Sequence, residues 1–336
     1  MKAFDVKNSK GRLNSPINSS LYGISDPYKS DYYALSMSQA SKRMMHKSQV
    51  VHYPLNPHFR NRKSHTEGVV AISGIIANLL GLNVSLCEAI AAGHDIGQAP
   101  FGYHGEKFLS EVSGKKYNHP NFGLVVAQII ENLNLTYETL EGMSLHSLGK
   151  NMTCIYDNKP HEYAVVANAD KIDYLTADIE DAISSGKHFL NDVPKIKALG
   201  STLDERRTNC IRALVLESKE KGFISFKDSD VAKQLKAVRD YMYGEIYKEN
   251  PEPKITLMME QVYNFFDSSK IKIDPAIVFS LLTDNEVMHM YNRIKENKNY
   301  DEVIDGLGIQ ETLKSISGKN ITFTYDLSQR DNKKKR

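Results

Sequence analysis

Residues 85–106 read SLCEAIAAGHDIGQAPFGYHGE, and this stretch decides the fold. Ser85 followed by Glu88 has the spacing of a capping box and predicts a helix start. Small apolar residues, Ala89 to Ala92, carry the helix to His94 and Asp95. Gly97, Pro100, Gly102 and Gly105 then break it into a tight turn. A His-Asp pair ending a helix of alanines is poorly explained by packing alone. Charged groups held away from water need a partner, and a metal ion is a common one.

Working outward, Ser64 and Glu67 repeat the capping-box spacing, and Val69, Ile72, Ile76 and Leu79 follow at helical period until Gly81. That helix carries His65 in its first turn. Downstream, helices are expected over Phe122 to Leu133, Tyr137 to His146 and, longest, His161 to Ser184. The last carries Val165, Val166, Ala169, Ile172, Leu175, Ile179 and Ala182 as apolar positions. Val231, Leu235, Val238, Met242 and Ile246 form a later helical stripe. Tyr53 to Asn61 reads as a loop, while Asn151 to Asp157 and Ile321 to Tyr325 could be short strands.

His65, His94, Asp95 and Asp170 all lie on or at the end of apolar helices. Each alone also reads as a cap, a core histidine or an ion-pair partner. Together, two imidazoles and two carboxylates suit a divalent ion such as Mn, Mg, Fe, Co, Ni or Zn. Arg62 precedes His65 by three residues, and a guanidinium there can grip a phosphate with two donors. Asp170, Tyr174 and Asp178 recur every fourth residue, a polar stripe flanked by Lys171. That stripe faces either a ligand or an interhelical hydrogen-bond network.

Bulk properties exclude several classes. The 336 residues hold 43 Lys and Arg against 41 Asp and Glu, so no global field draws the chain to nucleic acid. A nucleic-acid contact by the basic end, Asn332 to Arg336, has no other support. Cys87, Cys154 and Cys210 are scattered, which fits buried free thiols rather than disulfides or a thiolate zinc site. No signal pattern opens the chain and no apolar run reaches the ~20 residues of a membrane span, so a cytoplasmic protein with no membrane partner is expected.

At this point a resemblance emerges. His65, His94-Asp95 and Asp170 resemble the H…HD…D signature of the HD superfamily. Residues 43–50 (RMMHKSQV) resemble the RRLxxKTQV segment of dGTPase-type deoxynucleoside triphosphate triphosphohydrolases, and 60–65 (RNRKSH) resemble their RTRLTH. Residues 94–102 resemble HDxGHxPFG, and 133–142 (LNLTYETLEG) resemble LNLTxEVLEG. Residues 169–178 (ADKIDYLTAD) are similar to a segment of the mammalian relatives, with weaker echoes at Arg239 to Tyr247 and Thr283-Asp284.

The resemblance implies an all-α fold: an HD-domain helical core with an additional helical C-terminal lobe and at most short strands. The layout would be an arm at 1–34, the HD phosphohydrolase core at 35–190, the lobe at 191–326 and a basic tail at 327–336. His65, His94, Asp95 and Asp170 would hold the metal. Arg62 and Lys171 would contact the triphosphate, Gln49 and Asp178 would read the sugar 3′-hydroxyl, and Tyr174 would pack near both. Glu106 matches the family's catalytic carboxylate, and His119 a second histidine. The reaction implied is hydrolysis of a dNTP to deoxynucleoside and tripolyphosphate, by a homo-oligomer of two to six chains.

The chain departs from the pattern at two places. The family has His or Asn where Gln98 stands, and a histidine, its proton carrier, where Tyr103 stands. A phenol is a poor proton shuttle at neutral pH. His104, one residue on, is turned by about 100° if helical, and the resemblance implies that Glu106 with one of His104 or His119 would manage protons. The rival readings are an HD nucleotidase or phosphodiesterase acting on another nucleotide, and a catalytically weakened nucleotide sensor.

Overall fold

A computed structural model describes residues 1–13, 23–49, 56–147, 158–247, 253–269 and 271–328. Among them there is no β-sheet, only the isolated bridges Arg12 to Thr136 and Ser48 to Asn61. The first half contains α1 (Pro27–Met37), α2 (Gln39–Arg43), α3 (Arg62–Leu80), α4 (Val84–Gly93), α5 (Tyr103–Ser113), α6 (His119–Val125), α7 (Tyr137–Leu145) and α8 (His161–Ser184). The second contains α9 (Pro194–Lys197), α10 (Leu203–Lys221), α11 (Asp230–Tyr241), α12 (Pro253–Asp267), α13 (Pro275–Ser280), α14 (Asp284–Lys295), α15 (Tyr300–Ile304) and α16 (Gly308–Ile316). The protein is all-α. Helix α4 lies at the centre, packed on α1, α3, α7 and α8.

The long helix over His161–Ser184 forms as its apolar period predicts. Helix starts differ in detail. The cap of α3 is Asn61: its side chain accepts from Ser64 N at 2.9 Å, and Ser64 Oγ returns the bond to Asn61 N at 3.1 Å. Ser64 therefore holds the third position of the box rather than the cap. Asn83, not Ser85, caps α4, accepting from Leu86 N at 3.0 Å. Glu88 is thereby free to pair with Lys29 at 2.7 Å. Asn caps as well as Ser does, so the spacing alone does not separate the two. Helix α6 starts earlier than its apolar run, at His119, and passes into a π-turn over Val126–Ile130.

Ile321 to Tyr325 forms no strand. The segment is irregular and pinned by Phe323, whose ring packs on Tyr117 and Phe122 at 5.1 and 5.8 Å. Asn151 to Asp157, Cys154 and the end of the basic tail lie outside the described residues. Cys87 and Cys210 are buried free thiols. The N-terminal arm is packed on its own chain, with Phe4 N donating to Glu162 Oε1 (2.9 Å) and Arg12 ion-paired to Asp31. Its last residues already belong to α1.

The apolar core runs through both halves. One cluster spans Leu35 to Phe323, and the other Tyr28 to Ile246. Polar ties follow the same path. Asp284, at the start of α14, accepts from Ser48 N (2.8 Å) and Oγ (2.5 Å), and from Phe101 N (2.8 Å). Phe101 has φ +57°, a backbone state that a bulky side chain rarely adopts. That strained turn precedes α5 and is held in part by the second half of the chain.

Candidate metal centre

The ends of α3 and α4 and the middle of α8 meet in one buried cluster. His65 Nε2 stands 3.3 Å from His94 Nε2 and 3.1 Å from Asp170 Oδ1. Asp170 Oδ1 is 3.9 Å from His94 Nε2, and Asp95 Oδ2 is 3.6 Å from it. All four residues predicted to bind metal are therefore together. His65, His94 and Asp95 are at most 3% exposed.

Each imidazole is oriented through its other nitrogen. His65 Nδ1 bonds Asp173 Oδ2 at 2.8 Å, and His94 Nδ1 donates to the Ala91 carbonyl at 2.7 Å. A carbonyl can only accept, so His94 Nδ1 carries the hydrogen and Nε2 offers its lone pair. Asp173 was not among the expected site residues, nor was Arg60. Asp173 is fully buried and also pairs with Arg60 (3.0 Å) and Arg207 (2.5 Å). Gly68 makes room for it, because a Cβ there would fall 2.4 Å from Asp173 Oδ1.

His146, also outside the expected set, has the same design. Its Nδ1 donates to the Met143 carbonyl at 2.7 Å, and its Nε2 lies 3.3 Å from His119 Nε2. His119 Nδ1 bonds Glu106 Oε1 at 2.5 Å, and its Nε2 faces Asp95 Oδ1 at 3.4 Å. Glu106 and His119 thus form one pair at the cluster. Gly97 permits this approach of α6, since a Cβ on it would sit 2.4 Å from the His119 carbonyl. Gln98 joins the two sides with its amide oriented to satisfy both ends: the nitrogen donates to Glu106 Oε1 (3.0 Å), and the oxygen accepts from Arg62 Nη2 (3.2 Å).

The remaining expected residues surround this cluster. Arg62 donates to Asp95 Oδ2 (3.0 Å) and to the Ser48 carbonyl (3.2 Å). Asp178 is bound to Arg60 and accepts from Tyr247 Oη at 2.6 Å. Lys171 and Tyr174 are half-buried on α8. Gln49 Oε1 is buried without a hydrogen-bond partner among the described residues. Tyr103 is 72% exposed, and its ring meets that of His104 with centroids 6.0 Å apart.

Charges follow from these contacts. Burial opposes ionisation of Asp95, but His94, Arg62, His119 and His65 outweigh it and hold the carboxyl well below its usual range. Asp170 is lowered to about 2 against the cost of burial, chiefly by its hydrogen bond to His65. Burial disfavours a charged His65, yet Asp170 and Asp173 raise it to about 9. His146 falls to about 3 through burial and the neighbouring His94 and His119.

Two lone pairs facing each other at 3.3 Å need a positive charge between them. His65 supplies a proton in the cation-free protein; a divalent ion would displace it. The donor set therefore fits a metal. Titration with Mn²⁺ in buffers of different ionisation enthalpy should show at least about one proton released per ion at pH 7.5. Since the folded-state value is raised, affinity should weaken as pH falls below about 9. Affinity unchanged between pH 6 and 9 would contradict this.

Residues 62–175 match the family model described as HD domain. A deoxyguanosinetriphosphate triphosphohydrolase-like protein of Desulfatibacillum aliphaticivorans is 34% identical over 261 residues, covering 72% of this chain and 74% of that one. The chain belongs to this family of HD-domain proteins. Proteins of the same description from Caldanaerobacter subterraneus subsp. tengcongensis and Clostridium tetani are each 32% identical. They cover 76% and 77% of this chain, and 76% and 78% of their own. The HD chain is accordingly a metal-dependent phosphohydrolase that uses a divalent cation. Among its described residues, no helix is long and apolar enough to cross a membrane.

Proposed function

We propose that this HD phosphohydrolase cleaves deoxynucleoside triphosphates at the α-phosphorus, giving deoxynucleoside and tripolyphosphate. The observation that carries the sugar half of this reading is the orphaned Gln49 Oε1. A buried amide oxygen without a donor costs about 1–3 kcal/mol, and a ligand hydroxyl would relieve it. Ser48, its neighbour, is bridged to Asn61 at the cap of α3, which sets Gln49 close in the chain fold to Arg62 and His65. Asp178, bound to Tyr247, is the second reader of the 3′-hydroxyl.

His65, His94, Asp95 and Asp170 would hold the cation. When bound, it supplies Lewis acidity toward a phosphate oxygen and acidifies water. Arg62 and Lys171 neutralise the triphosphate, and Tyr174 packs beside the sugar. Glu106 and His119 hold a proton between Oε1 and Nδ1, and His119 passes one from Nε2 to the leaving 5′-oxygen. Gln98 keeps Arg62 and Glu106 in register through its two ends. The family relationship also supports a homo-oligomer of two to six chains.

The exposed Tyr103, standing where the family's proton carrier would be, supports a second reading: hydrolysis of another nucleotide. A product assay separates the two. Each dNTP is offered with Mn²⁺, then Mg²⁺, and nucleosides and phosphates are resolved by chromatography. Tripolyphosphate with deoxynucleoside is the expected result. Orthophosphate or pyrophosphate from the dNTPs, or an opened ring when a cyclic nucleotide is offered in their place, would replace the first reading by the second.

A further inference from the structure

Asp284 opens α14, far along the chain from every residue placed in the reaction, and is 1% exposed. Its two carboxylate oxygens are divided between two other segments. Oδ2 accepts from Ser48 N (2.8 Å) and Ser48 Oγ (2.5 Å), and Oδ1 accepts from Phe101 N (2.8 Å). The start of α14 is itself fixed. Thr283 and Glu286 close a capping box around it, and Glu286 Oε1 also accepts from Ile309 N in α16 at 2.8 Å. Buried Lys47, one residue before Ser48, ties the same three segments together by donating to the carbonyls of Gln98 and Ser280. The reaction proposed above uses neither side chain.

Each of these contacts falls beside a group that the reaction does use. Ser48 directly precedes Gln49. The Ser48 N–H is held by Asp284 and its carbonyl by Arg62 Nε (3.2 Å), while Arg62 N donates to the Lys47 carbonyl (2.9 Å). The backbone entering Gln49 is thus held from both sides. On the other carboxylate oxygen, Phe101 precedes α5 and Glu106. Gln98, whose carbonyl Lys47 holds, joins Arg62 to Glu106 through its side chain. An ionised carboxylate accepts at both oxygens, whereas an amide of the same shape offers one acceptor and one donor. Asn at 284 could not satisfy both segments at once.

We propose that Asp284 is a positioning residue for recognition of the sugar: by holding the Ser48 peptide against the Phe101 turn, it sets where the Gln49 amide meets the 3′-hydroxyl. The Gln49 amide oxygen is buried and has no hydrogen-bond partner among the described residues, so its position decides whether a ligand hydroxyl reaches it. A hydrogen bond weakens steeply with poor distance and angle, so a small displacement of the backbone before Gln49 costs most of that contact. This inference rests on the reading of Gln49 as the reader of the 3′-hydroxyl.

The test compares each dNTP with its 2′,3′-dideoxy counterpart on the full chain with Mn²⁺. Preference is taken as the ratio of kcat/KM values, or of Kd values should neither nucleotide be hydrolysed. The wild type should prefer the 3′-hydroxyl, and Gln49→Ala should abolish that preference. Asp284→Asn should lower it by about tenfold and Ser48→Ala by about threefold, with Ser48→Thr, which keeps the hydroxyl, close to wild type. Adding Asp284→Asn to Gln49→Ala should cost no further preference, because the two act through one contact. Far-UV circular dichroism checks the fold; should Asp284→Asn not fold, Ser48→Ala and Ser48→Thr decide. An unchanged preference in the folded variants overturns the proposal. So does an equal loss for both nucleotides, the mark of a merely structural tie, or loss of bound Mn²⁺ from folded Asp284→Asn. Preference unaffected by Gln49→Ala sinks the sugar reading and this inference with it; preference lost in Gln49→Ala alone sinks only this one.

Discussion

Asp95→Asn should lower turnover by about 10³-fold and remove the bound cation, while the helical signal in circular dichroism persists. The change is nearly isosteric, so packing around a 3%-exposed side chain is kept. What is lost is the one negative charge that meets Arg62 at 3.0 Å, His94 at 3.6 Å and His119 at 3.4 Å. A cation entering that site would meet a guanidinium and several imidazoles with Asp170 as the remaining carboxylate. Several kcal/mol of charge stabilisation disappear, and each 1.36 kcal/mol is tenfold in rate. Elemental analysis and the product assay report both effects. Stoichiometric metal in the variant would remove Asp95 from the ligand set.

Asp173→Ala should destabilise the protein by about 3–5 kcal/mol, the cost of stranding a buried charge partner. Asp173 is fully buried and binds Arg60, Arg207 and the Nδ1 of His65. Without it Arg60 keeps Asp178 and Asp181, but Arg207 loses its ion pair and His65 its orientation. Metal affinity should fall by about 10–100-fold, as when an orienting carboxylate is removed elsewhere. Urea unfolding and Mn²⁺ titration measure the two losses. A stability change below about 1 kcal/mol would show that the network is not structural. Gly68→Ala forces a Cβ against the same carboxylate and should reproduce the phenotype more weakly.

The residues that the sequence made legible are those whose signal is periodic or adjacent in the chain. Helix α8 could be read end to end because its apolar residues recur over six turns, and His94-Asp95 because the pair closes a helix of alanines. Glu106 and His119 were reached only through family resemblance, and the structure joins them at 2.5 Å. His146 and Asp173 escaped because their roles consist of Nδ1 contacts, which no spacing encodes. Asp173 carried one clue, a carboxylate between Ile172 and Tyr174 on a buried helix. Ile321 to Tyr325 misled for the opposite reason. Five alternating residues are too short to distinguish a strand from a loop anchored by one phenylalanine.

Asp284 gives the order of residues a meaning during translation. Every donor of the metal centre, from His65 to Asp170, leaves the ribosome before Asp284 does. Until Asp284 arrives, Phe101 N–H lacks the carboxylate that accepts from it at 2.8 Å. That turn leads directly into α5 and Glu106. The nascent chain therefore carries its metal donors long before it can finish the turn beside them.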